Sequence, residues 1–131
     1  MKKLFCIFVV ILLVFSMCGC AQTSVDKNAD VTLTFVYGDA NINVTLEKEE
    51  ADRVIEILDG KNYNSFIDGT PKCGFNANIS LKVGNRVFAI ACDTCNCAQD
   101  MGNLRYFDIP QEDMNYIHTL FEKYGGYFPC L

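Results

Sequence analysis

Five cysteines carry most of the reactive chemistry of this chain. Three lie close together in Cys92-Asp-Thr-Cys95-Asn-Cys97, Cys73 precedes them, and Cys130 is the penultimate residue. Three chemistries suit such a set. Thiols pair into disulfides wherever the compartment is oxidising. Cys92-x-x-Cys95 has the spacing of a redox dithiol, in which a helix N-terminus lowers the pKa of the first thiol. Thiolates of Cys73, Cys92, Cys95 and Cys97 would also form a soft ligand set for Zn²⁺ or Cu⁺. The residues after the dithiol, NCAQDM at 96–101, are too short and polar to read as the helix that redox catalysis needs. Disulfides are therefore the leading reading, with thiol redox or soft-metal binding through Cys92, Cys95 and Cys97 as the alternative.

Few other side chains point to a site. The chain holds one histidine, so two-histidine mechanisms and histidine-rich metal centres are excluded by count. His118 lies one position off the apolar line Met114, Ile117, Leu120, Phe121 and reads as a partly buried helix flank. A nucleophilic pair of Cys95 with His118 has no supporting context. Asp93, Asp100 and Asp108 surround the polar loop without calcium-loop spacing. Tyr106, Phe107, Tyr116, Tyr124, Tyr127 and Phe128 are expected mostly in the core, and an exposed patch of them would mark a binding face. The net charge of −5 argues against nucleic acid as a partner. No motif implies a cofactor.

The elements that must hold these residues follow from periodicity. Val31–Phe35 and Ile42–Leu46 alternate apolar and polar around Gly38-Asp39 and Asn41, the pattern of a β-hairpin. Glu47 to Leu58 places Ala51, Val54, Ile55 and Leu58 at helical spacing, with Thr45 as the expected N-cap and Gly60 as the stop. Residues 61–76 read as a loop. Asn78–Val83, the turn Gly84-Asn85 and Arg86–Ala91 form a second hairpin. A polar stretch runs through Met101, and Leu104–Asp108 is a short strand. Asp108 with Gln111 resembles a capping box, Pro110 sits in the first turn, and the last helix runs to Tyr124. The expected class is α+β: an antiparallel β-sheet of hairpins with two amphipathic helices on one face. Leu46–Leu58 aligns with Ile109–Phe121 at a fixed offset of 63, which raises a ββα-type internal duplication.

This arrangement also bears on the cysteines. With a two-residue turn at Gly84-Asn85, Val83 faces Arg86, Ala77 faces Cys92, and Cys73 arrives at position 96. Cys73 then pairs within the cluster, with Cys95 as the expected partner. Cys130 could pin the C-terminus back to Cys92 or Cys97. Five thiols leave one unpaired or joined to another chain.

The first 20 residues, MKKLFCIFVVILLVFSMCGC, give an address. Lys2 and Lys3 precede 14 uncharged, almost wholly apolar residues, Leu4 to Met17. That length falls short of the roughly 20 residues of a membrane-spanning helix and fits a secretion signal. Its end, Met17-Cys18-Gly19-Cys20, resembles the lipobox of bacterial lipoproteins, with Met17 where that family most often has Leu and Cys18, itself a competing acceptor, where it more often has Ser, Ala or Thr. The resemblance implies a signal peptide at 1–19 and acylation of Cys20 by palmitate-type chains. It further implies a membrane anchor on the outward, extracytoplasmic face of a bacterial cell, in an envelope of Gram-positive type. Residues 20–30 are then the lipidated N-terminus and a flexible tether, and 31–131 a single cysteine-rich domain. The domain is similar to small exported bacterial domains of unknown function, through Cys92-Asp-Thr-Cys95 and the ending Tyr124 to Cys130. Cleavage removes Lys2 and Lys3 and no acid, so the net charge falls from −5 to −7. The domain is expected to stand off the membrane as a non-enzymatic binding or structural module, its partner an envelope protein or ligand that the sequence does not identify.

Overall fold

Alternation of apolar and polar side chains builds the sheet. The computed structural model describes residues 21–65 and 73–130. Strands β1 (Val31–Tyr37) and β2 (Ala40–Thr45) pair antiparallel, with Phe35 opposite Ile42. The turn between them needs Gly38, whose φ of +58° a residue with a Cβ rarely adopts. Val31, Leu33 and Phe35 are wholly buried on one face of β1, as period-2 geometry requires. Strands β3 (Phe75–Val83), β4 (Arg86–Ala91), β5 (Cys97–Asp100) and β6 (Arg105–Asp108) complete a six-stranded antiparallel sheet in the order β2-β1-β3-β4-β5-β6.

Two helices follow the edge strands: α1 (Lys48–Leu58) after β2 and α2 (Gln111–Lys123) after β6. The chain is thus α+β, as expected. Ala51, Val54, Ile55, Ile57 and Leu58 of α1 and Met114, Ile117, Leu120 and Phe121 of α2 enter the same core as β1, β3 and β4. Across that core Phe35 meets Phe121 edge to face at 6.1 Å. Polar bonds join the helices directly: Arg53 donates to Asp113 at 2.7 Å, and Glu50 receives Tyr124 Oη at 2.7 Å and the Lys123 ammonium.

Four expectations need correction. The helix N-caps are Glu47 and Pro110. Thr45 ends β2 instead, and Glu50 reaches back to accept the Glu47 N–H at 3.4 Å. Gln111 does not close a box with Asp108; it bonds Asn96 at 2.6 Å and Asn115 at 2.9 Å. Residues 97–100, read as part of a polar loop, form β5 between β4 and β6. The β3–β4 register holds from Val83–Arg86 to Ser80–Ala89 and then shifts, so that Phe75 faces Ala91. Asn76 Oδ1 takes the Asn78 N–H and Ser80 Oγ donates to the Ala77 carbonyl, so local polar bonds divert the backbone from its ladder.

The tether is the fourth. Residues 21–25 are docked on the domain instead of swinging free. Thr23 exchanges bonds with Lys61 and Gly60, and its hydroxyl donates to the Leu58 carbonyl at 2.6 Å. Thr23 and Val25 are buried, and the Val25 N–H bonds Asp59. This segment satisfies the C-terminal carbonyl end of α1, which no basic side chain of its own last turn reaches. The signal peptide at 1–19 and Cys20 lie outside the described residues. Among the described residues no helix is long and apolar enough to cross a membrane.

Candidate functional site: the thiol cluster

Strand β4 delivers Cys92 to the end of the sheet, where its N–H bonds the Gly74 carbonyl at 2.9 Å. Asp93 then turns the chain. Its Oδ1 accepts the Cys95 N–H at 2.9 Å and its Oδ2 accepts the Gly74 N–H at 3.2 Å. One carboxylate therefore holds both backbone segments that carry Cys73 and Cys95. Those two cysteines are joined by a disulfide with Cα atoms 6.1 Å apart. Asp93 was legible in the sequence only as one acid near a polar loop. The local signal was the Asp-x-Cys turn, since an Asp side chain readily bonds the backbone two residues on.

Cys97, the first residue of β5, is buried beside this bond. The sulfurs of Cys73, Cys95 and Cys97 lie within 4.8 Å of one another. Burial, helped by Asp108 and Asp93, pushes the Cys97 thiol up to about 12. Cys92 and Cys130 are also buried and form a separate pair. The Cys130 N–H bonds the Cys92 carbonyl at 2.8 Å, and the Cys130 Sγ lies 3.7 Å from that same oxygen. Burial pushes Cys130 up to about 12, with Cys92 adding to the effect, and burial also raises Cys92.

This arrangement divides the Cys92-x-x-Cys95 motif. Cys95 is bonded to Cys73, the Cys130 sulfur is turned toward Cys92, whose own thiol lies 3.9 Å from the Ile90 carbonyl, and a strand follows the motif where a redox dithiol would have a helix. The free thiols remain protonated at neutral pH, and a protonated thiol is a poor nucleophile and a poor metal ligand. Of the four cysteines considered for a soft metal, Cys73, Cys95 and Cys97 come together. They offer a full thiolate set only after the disulfide is reduced. His118 does not engage Cys95; it stacks on Phe128 with ring centroids 4.2 Å apart. Burial lowers its pKa, and the nearby Glu122 only partly offsets this.

A second polar cluster went unread in the sequence. Asp100, 1% exposed, ends β5 and receives bonds from Tyr63 Oη, the Arg86 guanidinium and the Gly102 N–H. Burial pushes its carboxyl up, but these bonds and the Arg86 charge outweigh that and hold it below the ordinary carboxylate value. Arg86 also donates to Tyr63 Oη and to the Ser24 carbonyl, tying the docked N-terminal segment to the same cluster. Comparison with protein-family models, curated proteins and solved structures returns no match.

Proposed function

We propose that the chain is an extracytoplasmic lipoprotein whose domain is a non-enzymatic binding or structural module held by disulfides. The observation that carries this reading is the Cys73–Cys95 bond, positioned by Asp93, beside the Cys97 thiol, which burial keeps protonated. Such an arrangement favours permanence over exchange, because exchange needs an accessible thiolate. An exported compartment is where a bond of this kind persists.

Two finer features belong to the same reading. Both helices share one face of the sheet, a view supported by the Arg53–Asp113 bridge between them and by their common core. The domain also descends from a duplicated ββα unit. In support, the offset of 63 carries β1 onto β5, β2 onto β6 and α1 onto α2. The two hairpins then occupy opposite edges of the sheet with β2 and β6 outermost, the arrangement a two-fold axis between β3 and β4 would give.

Membrane fractionation of the wild type, Cys20→Ala and Cys18→Ala tests the anchor. Only Cys20→Ala is expected to leave the membrane fraction. Retention of Cys20→Ala with release of Cys18→Ala would assign the acylated residue to Cys18. An insulin-reduction assay on the same protein tests the absence of redox work, and measurable turnover would overturn the module reading. The proximity of the Cys73, Cys95 and Cys97 sulfurs favours one second reading, a soft-metal site formed on reduction. Stoichiometric zinc or copper in protein purified under reducing conditions would establish it.

A further inference from the structure

The structure assigns Cys92 and Cys130 as a second disulfide, a covalent latch that closes the C-terminal segment onto the sheet. It rests on the exported reading above, which supplies the oxidising surroundings. Three features of the geometry converge. A backbone bond of 2.8 Å joins Cys130 to Cys92. By covalent geometry such a bond keeps the two Cα atoms within roughly 6.5 Å, inside the window that a disulfide accepts. The Cys130 side chain is turned back toward Cys92, with its sulfur 3.7 Å from the Cys92 carbonyl. Both side chains are buried, 5% and 3% exposed.

The segment leading to Cys130 also has a fixed course. The Gly126 N–H returns to the Phe121 carbonyl at 2.9 Å. A Cβ on Gly126 would approach Phe35 to 3.0 Å, so the chain can lie this close only as glycine. Phe128 then packs between His118, Phe35 and Phe121. Packing therefore directs Cys130 toward Cys92 independently of the bond. Cys97 is left as the odd thiol, buried next to the Cys73–Cys95 bridge.

The chemistry balances as an exchange with an external disulfide, on a dithiol oxidase of the envelope or a small disulfide such as oxidised glutathione. The Cys92 thiolate attacks one sulfur of the oxidant and expels the other as thiolate. Cys130 then attacks the mixed disulfide. The protein loses two protons and two electrons, and the oxidant becomes two thiols. Because both sulfurs end up buried, the bond forms during folding, ahead of complete closure.

The test is a disulfide map of the full-length protein extracted from membranes after acid quenching and alkylation with N-ethylmaleimide. Digestion with trypsin and Asp-N cuts between Cys92 and Asp93 and before Asp100, which separates Cys92 from the fragment that carries Cys95 and Cys97. The expected links join Val87–Cys92 to Tyr124–Leu131, and Asp93–Gln99 to Cys73–Lys82, the Asp93–Gln99 fragment also carrying one N-ethylmaleimide on Cys97. Alkylated Cys92 and Cys130 beside an intact Cys73–Cys95 link would overturn the latch and leave the stapled module standing. A link from Tyr124–Leu131 to Asp93–Gln99 would also overturn it. Five alkylated cysteines would overturn the latch and the module reading together.

Discussion

Asp100 places a buried charge at the end of a short strand. Its carboxylate is almost wholly buried, and Arg86, with about a third of its side chain exposed, supplies the neutralising charge. Asp100→Asn leaves that guanidinium without a full partner and keeps the volume. The expected cost is about 2–3 kcal/mol, less than for a fully buried pair because water still reaches Arg86. Denaturant unfolding of the variant measures it, and a cost below ~1 kcal/mol would make the cluster ornamental to stability. His118 makes a different demand. Its native pKa lies below the ordinary 6.5, so the unfolded chain takes up the proton first as pH falls. Stability from this residue is complete above about pH 6.5 and declines below it. Asp100 and Glu50 have lowered values, so their contribution is present above about pH 4 and lost beneath it. Thermal unfolding from pH 8 to 5 should show a fall beginning near 6.5 that His118→Phe removes.

Among the elements, the Cys73–Cys95 staple is the one whose removal is cleanest. It spans 22 positions of sequence, which corresponds to about 3 kcal/mol in the chain-entropy account. Cys73→Ser with Cys95→Ser should lower the melting temperature by about 10 °C or more. The meeting of these two segments was legible because hairpin β3–β4 begins with an unmistakable turn at Gly84-Asn85. The detailed register was not, because the side chains of Asn76 and Ser80 bond their own backbone and insert an irregularity that periodicity cannot register. Strand β5 escaped notice for a related reason. With four residues and a buried acid it has no alternation to read, and the residue that compensates Asp100, Arg86, is distant in sequence. Strands β1 and β4 and both helices were legible because each buries a continuous apolar set. The cysteine cluster was visible as residue types, but the sorting into pairs depended on Asp93 and on the path of the C-terminal segment.

On the scale of the whole molecule, the sheet, α2 and the C-terminal segment meet at Phe35, which touches Phe121, Tyr127 and Phe128. Phe35→Ala should cost about 3–5 kcal/mol. Combined with Phe121→Ala it should cost less than the sum of the single variants, by ~0.5–1.5 kcal/mol, because the two rings share one contact. Strict additivity would place the helix and the sheet in separate cores. The docked N-terminal segment carries a consequence for the proposed anchor. Thr23 is pinned under α1, and the Ala21 carbonyl already accepts the Tyr63 N–H. An acylated Cys20 would therefore be separated from the folded body by a single peptide link, which spans about 3.5 Å. The leash has almost no slack. So anchored, the domain would ride at a nearly fixed height, with the Gln22–Asn62 bridge beside the anchor. A partner of a domain so anchored would have to come down to the headgroups to find it.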